Sequence, residues 1–518
     1  MTTQLTSPEE AAAWLKARVA GSLTIDSRQI RSGDGFIAWP GAGFDARGFV
    51  NNALNDGAQA CLVEELGASA FAFADPRIAC YFGLKKAAAP IAAAYYDNPS
   101  QHLQTIAVTG TNGKTSTAWW LAHALSRLER PCGVIGTLGI GAPAELVFNG
   151  LTTPDPVLLQ KQLRHFADSA FAACAIEASS IGIAEHRLDA TRIQVAVFTN
   201  FTQDHLDYHG SMASYWEAKK SLFAWPGLKS AVLNIDDPQG ALLNDQLATK
   251  GLDVWSVSIS VSASASASAS ASASASVTGG VAARLSARNI EQGPQFVTFD
   301  LVEGPESHTV SAATVGLYNV SNLLCVVGAL RALGISLADA ARACVNLPPV
   351  PGRLNSLAVE GAPLVVIDYA HTPDALEKVL LALKPVSAGR GGQLWCVFGC
   401  GGNRDTAKRP LMAAAAEKYA DKVVLTSDNP RSESIDAIIR QIETGFSNRA
   451  AVRIEPDRAK AINQTVALAH ANDVVLIAGK GHENYQEISG VQHPFLDLEH
   501  ARSAVRALLA VHTAVGSA

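Results

Sequence analysis

Apolar runs of strand length alternate with helix-like stretches along most of the chain after residue 100. A first series of such runs covers residues 104–108, 171–176, 193–199 and 231–235. After the first run, Leu121, Leu125 and Leu128 recur at helical spacing. A second series covers residues 364–367, 394–398, 423–425 and 474–477. This alternation predicts an α/β fold in which helices cover both faces of largely parallel sheets.

The pattern also divides the chain. Residues 1–100 carry shorter apolar runs between glycine, aspartate and asparagine turns, which predicts a small mixed α/β domain. The Pro-Pro-Val-Pro-Gly segment from Pro348 to Gly352 is the best candidate for a hinge. We therefore predict three domains: an N-terminal domain at 1–100, a central domain at 101–347 and a Rossmann-like C-terminal domain at 348–518.

One segment fits neither series. Serine and alanine alternate without a break from Ser262 to Ser276, within the central domain. The segment has no large side chain to bury, so it cannot fix the register of a strand. It is either a linker between domains or an expanded surface loop, and its composition favours the loop.

Composition narrows the class of protein. The chain has 518 residues, 48% of them hydrophobic, which is too many for a disordered chain. Lys+Arg 41 against Asp+Glu 47 provides no basic field for nucleic acid. No window approaches 18 uninterrupted apolar residues, so we expect no membrane span. The N-terminus lacks the basic start of a signal peptide, and the eight cysteines are scattered, so we predict a cytoplasmic protein.

The segment from Thr109 to Ser116 reads Thr-Gly-Thr-Asn-Gly-Lys-Thr-Ser, follows a predicted strand and begins a predicted helix. The backbone N–H groups of such a loop and the positive end of the helix bind anions. Lys114 would reach the terminal phosphates, and the Thr115 hydroxyl would bind Mg²⁺. Val108 stands where a complete Walker A motif has its first glycine, so a chance glycine turn is the alternative. The context favours a phosphate site in a central domain like that of P-loop ATPases.

Polar residues follow the next predicted strands. Glu177 ends one strand, and Asp204 and His205 come shortly after another. Ligands gather at the carboxyl ends of strands in open α/β sheets, so Glu177 and His205 are candidate metal ligands, although Mg²⁺ prefers oxygen. Either residue alone would more often be structural.

Five motifs together resemble the Mur ligase family, the ATP-dependent amide ligases of peptidoglycan synthesis. These motifs are Gly110-Thr-Asn-Gly-Lys-Thr115, Glu177-Ala-Ser-Ser180, Asp204-His-Leu-Asp-Tyr-His209, Tyr318-Asn-Val-Ser-Asn322 and Asp368-Tyr-Ala-His-Thr-Pro373. Two more, Asp428-Asn-Pro-Arg431 and Gly479-Lys-Gly-His-Glu483, are similar to the branch that adds meso-2,6-diaminopimelate. The resemblance covers nearly the whole chain, in order, except around the Ser/Ala segment.

The resemblance implies a reaction and its partners. ATP would phosphorylate the D-glutamyl γ-carboxylate of UDP-N-acetylmuramoyl-L-alanyl-D-glutamate, and an amine of diaminopimelate would attack the acyl phosphate. It implies Mg²⁺ at two sites, one at Thr115 and one at Glu177, His205 and a carbamylated Lys219. Without the resemblance, Lys219 would be taken for a solvated helix residue. We expect a monomer that binds no nucleic acid.

The resemblance also implies roles for individual residues. The catalytic residues would be Lys114, Glu177, His205 and Lys219. ATP would contact Gly110, Thr111, Asn112, Gly113, Lys114, Thr115, Ser116, Asn319 and His371. The UDP-muramoyl dipeptide would contact Ser27, Thr152, Thr153, Ser179, Glu185 and Arg187. Diaminopimelate would contact Arg404, Asp428, Asn429, Pro430, Arg431, Gly479 and Glu483. Glu185 departs from the family pattern, since relatives often carry glutamine there.

Arg431 provides the sharpest test of substrate choice. Its planar guanidinium can hold a carboxylate through two parallel bonds, and diaminopimelate has a distal carboxylate that lysine lacks. Taken alone, Asp428-Asn-Pro-Arg431 would be an ordinary turn capped by its aspartate.

The alternatives for function are a lysine-adding relative, a folylpolyglutamate synthase, or a nucleotide-dependent switch that hydrolyses ATP without ligation.

Overall fold

The computed structural model describes residues 3–41, 43–259, 283–293 and 296–516. The Ser/Ala segment and the prediction made for it lie outside these ranges. Within them, no helix combines the length and the apolar character that a bilayer span requires.

Strands and helices alternate along most of the chain. The strands are β1 (Thr3–Leu5), β2 (Leu23–Thr24), β3 (Gly35–Ala38), β4 (Ala60–Glu64), β5 (Ile78–Tyr81), β6 (Gln104–Thr109), β7 (Cys132–Gly136), β8 (Gly139–Ala142), β9 (Glu145–Val147), β10 (Ala173–Glu177), β11 (Val195–Phe198), β12 (Ser230–Asn234), β13 (Asp253–Ser258), β14 (Leu285–Gln292), β15 (Val297–Glu303), β16 (Glu306–Ala312), β17 (Asn355–Leu357), β18 (Leu364–Asp368), β19 (Leu394–Phe398), β20 (Lys422–Leu425), β21 (Val452–Ile454), β22 (Val474–Ala478), β23 (Tyr485–Ile488) and β24 (Val491–Pro494). The helices are α1 (Pro8–Lys16), α2 (Val50–Asn55), α3 (Leu84–Tyr95), α4 (Lys114–Arg127), α5 (Pro156–Asp168), α6 (Ser180–Ala184), α7 (Leu206–His209), α8 (Met212–Lys220), α9 (Pro238–Ala248), α10 (Leu317–Ala332), α11 (Leu337–Cys344), α12 (Pro373–Gly389), α13 (Lys408–Tyr419), α14 (Ile435–Glu443), α15 (Arg458–Leu468) and α16 (Asp497–Gly516).

Each run predicted as a strand after residue 100 overlaps an observed strand, and the α/β fold class is confirmed. Contacts divide the chain into two compact units. Unit 1 comprises Met1–Thr109, Leu121–Val197 and Glu217–Ala231, and unit 2 comprises Gly110–Trp120, Phe198–Trp216 and Val232–Ala518. The three-domain division therefore stays a prediction.

Unit 1 begins with a parallel five-stranded sheet of order β1-β5-β4-β3-β2. Helices α1 and α3 pack on one face, where Trp14, Leu15 and Ile91 are buried. Helix α2 covers the other face through Val50 and Leu54. The same unit contains strands in the order β11-β6-β10-β7-β8-β9, with β6, β10 and β7 parallel, so the ends of β6 and β10 share one edge.

Unit 2 contains strands in the order β16-β15-β14-β13-β12, and β14, β15 and β16 form an antiparallel meander. It also holds a six-stranded sheet of order β17-β18-β22-β19-β20-β21, in which only β17 runs antiparallel. Helices α12, α13 and α14 pack on one face of that sheet, and α15 and α16 pack on the other. The carboxyl ends of β18, β19, β20 and β22 therefore meet at one edge, where ligands bind in such sheets.

Candidate active site

Two glycines shape the phosphate loop between β6 and α4. Gly110 has φ +148° and Gly113 has φ +84°, the second in the region that side chains with a Cβ rarely adopt. A Cβ at Gly113 would lie 2.3 Å from Asn322 Oδ1, and one at Gly110 would lie 1.9 Å from Thr199 Oγ1. Neither position has room for a larger residue.

Polar groups after β11 hold the loop in place. Asn200 accepts from the Asn112 N–H at 2.9 Å and from the Thr111 N–H at 2.8 Å, through its side chain and its carbonyl respectively. The Thr199 hydroxyl donates to the Asn112 carbonyl at 2.6 Å. Lys114 Nζ donates to the carbonyls of Gly110 and Thr111, at 3.0 and 2.8 Å. The loop thus encloses the ammonium group of Lys114, which the sequence predicts to bind the terminal phosphates.

Residues of the C-terminal sheet region also reach the phosphate loop within unit 2. Asn112 Nδ2 donates to Asp374 Oδ2 at 2.9 Å, and Arg353 Nη2 donates to the Thr115 hydroxyl at 3.1 Å. Sequence reasoning singled out neither Asp374 nor Arg353. The one available signal was the position of Arg353, directly after the predicted hinge at Pro348 to Gly352.

A cluster of charges surrounds Asp204. Its carboxylate lies 3.4 Å from His205 Nε2 and 4.0 Å from His371 Nε2. Burial raises the pKa of Asp204, but His205, His371 and the Lys408 ammonium outweigh it and bring the pKa to about 2. Burial of the ring lowers the pKa of His371 to about 4, with a further decrease from Lys408. The His371 ring and the Lys408 ammonium therefore both face the Asp204 carboxylate.

A cavity of about 410 Å³ opens beside the phosphate loop in unit 2. Two leucines with half-exposed side chains, Leu317 and Leu381, contribute apolar walls. The polar lining consists of Thr199, Asn200, Asn234, Asp236, Asp237, Gln292, Tyr318, Ser321, Asn322 and Lys378. This combination of apolar walls and amide or hydroxyl groups suits a nucleoside.

Asn319 lies away from that cavity. Its Nδ2 donates to the Thr314 hydroxyl at 2.8 Å and to the Val315 carbonyl at 2.9 Å, and its Oδ1 accepts from Asn322 at 3.2 Å. The structure thus places Asn319 behind Asn322, which lines the cavity.

In unit 1, the residues predicted to bind the dipeptide lie around the end of β10. The Thr153 hydroxyl donates to the Glu177 carbonyl at 2.7 Å and lies 2.9 Å from Ser179 Oγ. Arg187 Nη1 donates to the Thr153 carbonyl at 2.9 Å. Thr152 lies beside this group, with its hydroxyl 3.0 Å from that of Thr137. Four of the six predicted residues therefore form one polar cluster.

The other two predicted dipeptide residues lie outside that hydrogen-bonded cluster. Glu185 pairs with Lys85 at 2.5 Å, so its charge is compensated. Ser27 begins a short 3₁₀ turn that the Asp26 carboxylate caps.

Two predicted metal ligands also belong to unit 1. Both carboxylate oxygens of Glu177 accept from Thr137, at 2.8 Å from its N–H and 3.2 Å from its hydroxyl. A Cβ at Gly136 would lie 2.2 Å from Glu177 Oε1, so that glycine makes room for the carboxylate. Lys219 is only 1% exposed, so the alternative interpretation of a solvated helix residue is wrong.

The predicted amino-acid residues of unit 2 follow strand ends of the six-stranded sheet. Arg431 has φ +52°, and its backbone is fixed by bonds to Glu487 and Ser489, at 3.0 and 2.7 Å. Its Nη1 donates to the Gly402 carbonyl at 2.8 Å, and its Nε lies 3.4 Å from Glu487 Oε2. A strained backbone held on both sides is typical of functional positions. Arg404 is exposed on the neighbouring loop after β19.

Acidic groups complete this amino-acid cluster. Asn429 Nδ2 donates to Glu483 Oε2 at 2.8 Å, and burial raises the pKa of Glu483. Asp428 Oδ1 accepts from the Asn429 N–H at 2.6 Å. A Cβ at Gly479 would lie 2.6 Å from Asp428 Oδ2, so Gly479 leaves room for that carboxylate. Six of the seven predicted residues, from Asp428 to Arg431 with Gly479 and Glu483, are thus close together.

Two fully buried arginines brace these loops, and sequence reasoning missed both. Arg458 makes a two-pronged pair with Asp497, at 2.8 and 2.7 Å, and donates to the carbonyls of Ser427 and Ala478. Arg409 binds Glu433 and the Gly401 carbonyl. Each arginine lies in the first turn of a helix, where a cation opposes the helix dipole; that unusual position was the only signal.

Comparison with known proteins places the chain. The Mur ligase middle domain matches residues 108–330, and the Mur ligase, glutamate ligase domain matches residues 352–481. A UDP-N-acetylmuramoyl-L-alanyl-D-glutamate--2,6-diaminopimelate ligase from Acidovorax sp. (strain JS42) is 54% identical over 508 residues, 97% of each chain. A solved structure of a ligase with that name covers 94% of both chains at 34% identity, with a TM-score of 0.62.

The crystal structure of MurF ligase from Thermotoga maritima in complex with ADP covers 96% of this chain and 99% of its own. Its TM-score is 0.65 at 18% identity, a likeness that shows the fold alone. The architecture of the sheets and the phosphate loop together place this chain in the class of α/β nucleotide-binding enzymes. The chain belongs to the Mur ligase family, which confirms the resemblance that the motifs predicted.

Proposed function

We propose that this chain is the ATP-dependent ligase that adds meso-2,6-diaminopimelate to UDP-N-acetylmuramoyl-L-alanyl-D-glutamate in peptidoglycan precursor synthesis. One observation carries the proposal: a single compact unit holds both the phosphate loop and the cluster of Asp428, Arg431 and Glu483. The first suits ATP, and the second suits an amino acid with an extra carboxylate. The name of the relative from Acidovorax supports the same reaction.

ATP is the first substrate of the proposed reaction. The nucleoside occupies the cavity beside the loop, and Lys114 exchanges its carbonyl partners for phosphate oxygens. A γ-carboxylate oxygen of the dipeptide then attacks the γ-phosphorus, ADP leaves, and an acyl phosphate forms. Two anions must meet in this step, so the positive charge of Lys114 lowers the barrier.

The polar cluster of unit 1 binds the dipeptide substrate. Thr152, Thr153 and Ser179 supply hydroxyl groups, and Arg187 supplies a positive charge for an anionic peptide. The ion pair of Glu185 with Lys85 removes the conflict between an acidic residue and an acidic substrate. Ser27 remains the predicted contact for the UDP end.

Diaminopimelate supplies the nucleophile. Its neutral amine attacks the acyl carbon, phosphate leaves, and the nitrogen loses a proton to solvent as the amide forms. The Arg431 fork, with Arg404 nearby, binds a carboxylate, while Glu483 and Asp428 bind an ammonium. Lysine lacks the distal carboxylate that the fork would bind, a mismatch that sites of this kind reject by up to ~10⁴–10⁵-fold.

Mg²⁺ is implied by the family, and the donors present fit it. The Thr115 hydroxyl, the Glu177 carboxylate and ATP phosphates are the hard oxygen ligands that this ion prefers. Lys219 is buried, where an ammonium is costly, and a carbamate would make it an oxygen donor. When bound, Mg²⁺ would neutralise part of the phosphate charge. The ligand roles of Glu177, His205 and Lys219 remain predictions, as do a cytoplasmic location and a monomeric state.

A substrate-omission assay tests the function. Phosphate release from ATP should require both the UDP-muramoyl dipeptide and diaminopimelate, and should fall to background when either is left out. Replacing diaminopimelate with lysine is the matched control and should also give background release. Phosphate release with ATP alone would instead indicate a nucleotide-dependent switch, and full activity with lysine would indicate the lysine-adding branch.

A further inference from the structure

Lys480 is a buried cation in the amino-acid cluster. It belongs to the loop after β22, and its side chain is fully buried. Its Nζ donates to Asn429 Oδ1 and to Glu483 Oε2, both at 2.9 Å, and lies 5.5 Å from the centre of the Tyr485 ring. An ammonium removed from water is costly unless such partners surround it. The fold therefore holds this charge in one place.

Asn429 is oriented by these contacts. Its Oδ1 accepts from Lys480 and from the Glu487 N–H at 3.0 Å, so its Nδ2 must point to Glu483. An amide flip would turn the Nδ2 donor group towards the Lys480 ammonium and the Oδ1 acceptor towards the Glu483 carboxylate, and neither contact could be a hydrogen bond. Lys480 and the Glu487 N–H together decide which end of the amide faces the carboxylate.

Glu483 has two oxygens in different surroundings. Oε2 accepts from both Lys480 and Asn429, at 2.9 and 2.8 Å. Within the part of the chain that the structure describes, Oε1 accepts no hydrogen bond, and the side chain is 16% exposed. The carboxylate is therefore held by one oxygen and offers the other outward.

The charge state of Glu483 depends on its neighbours from several elements. Burial raises its pKa, Asp428 raises it further, and Lys480 and Asn429 oppose the rise. The other groups that face it are Tyr369 after β18, Arg458 of α15 and Tyr485 of β23. Lys480 is the cation that touches the carboxylate directly.

We infer that Lys480 is a positioning residue that presents Glu483 Oε1 to the ammonium group of the incoming amino acid. The inference rests on the proposed function for the identity of that amino acid. Without Lys480, Asn429 loses one of the two donors that orient it, Glu483 Oε2 loses one of its two partners so that the carboxylate can turn, and Glu483 binds a proton at higher pH. A protonated Glu483 no longer attracts an ammonium, so substrate binding weakens as pH falls.

Steady-state kinetics of Lys480→Met measure this role. We expect the KM for diaminopimelate to rise ~10–100-fold, more at pH 6.5 than at pH 8.5, with the KM for ATP unchanged. Lys460→Met is the matched control, because Lys460 is an exposed lysine on α15. Equal increases in both KM values, or an increase independent of pH, would overturn the inference.

A double-mutant cycle separates positioning from general support. If Lys480 acts through Glu483, the double variant Lys480→Met/Glu483→Gln should have the same KM for diaminopimelate as Glu483→Gln alone. Effects that multiply would contradict a shared role.

The carboxyl itself provides a readout that needs no substrate. Infrared difference titration against Glu483→Gln should show a higher pKa for Glu483 in Lys480→Met than in the parent protein. An unchanged pKa would overturn the inference. Failure of the substrate-omission assay with a raised pKa would instead count against the proposed function alone.

Discussion

The phosphate loop and the amino-acid cluster reach a fixed geometry by different routes. The phosphate loop is one continuous segment, shaped by Gly110 and Gly113 and held mainly through its backbone. The amino-acid cluster combines loops from several strand ends, and the buried cations Arg409, Arg458 and Lys480 fix it. The loop should therefore be sensitive to any added Cβ, and the cluster should be sensitive to any lost charge.

Gly113→Ala tests whether the phosphate loop is sensitive to an added Cβ, and it should have the largest effect on activity. The added Cβ meets Asn322 Oδ1 at 2.3 Å, so the loop or the buried Asn322 side chain must shift. A displacement of about 1 Å can cost ~10²-fold in rate, and we expect at least that loss in kcat/KM for ATP.

Gly334→Ala is the matched control for that variant. Gly334 has φ +81°, close to the φ +84° of Gly113, but a Cβ there meets open space. It carries the same backbone strain without the collision, so its ATP kinetics should stay within about twofold of the parent. Similar kinetics for the two variants would show that the close contact with Asn322 does not shape the loop.

Arg431→Lys tests the second half, with an intermediate effect. The ammonium keeps the charge but cannot make two parallel bonds to a carboxylate. We expect the KM for diaminopimelate to rise by ~30–150-fold, about 2–3 kcal/mol, with the KM for ATP unchanged. Arg453→Lys, at an exposed position of β21, is the control. Unchanged kinetics for Arg431→Lys would remove Arg431 as the residue that selects the substrate.

The two regions also differ in how far the sequence reveals them. Strand β6, the glycine loop and α4 follow from local patterns, because apolar periodicity and glycine positions act over a few residues. The run at 394–398 coincides with β19. The start of β10 shifts from residue 171 to Ala173, because Phe171 packs on Phe166 at the end of α5 instead, with ring centres 4.9 Å apart.

Long-range contacts were beyond the reach of sequence patterns. Arg458 and Asp497 are 39 positions apart, and neither stands in a motif. Lys219 and Lys220 stand side by side at the end of α8, so nothing local indicates that the Lys219 side chain is buried. Asn319 and Asn322 lie three residues apart on one helix, and only tertiary packing places Asn322 at the cavity and Asn319 behind it.

Arg458→Lys tests whether a buried cation fixes the amino-acid cluster, and it should have the smallest effect on the kinetics. Lysine keeps the charge beside Asp497 but cannot also reach the carbonyls of Ser427 and Ala478, which precede the two amino-acid loops. We expect a ~3–10-fold rise in the KM for diaminopimelate and a lower urea midpoint of unfolding, a cost of about 1–3 kcal/mol.

Arg47→Lys is the control for Arg458→Lys, since Arg47 makes a similar buried fork in unit 1, to Asp45 and two carbonyls. It should lower the urea midpoint to a comparable degree and leave the KM for diaminopimelate unchanged. If both variants change that KM equally, its rise reflects a general loss of stability. If only Arg458→Lys changes it, the buried cations of the amino-acid cluster set its geometry as the glycines set that of the phosphate loop.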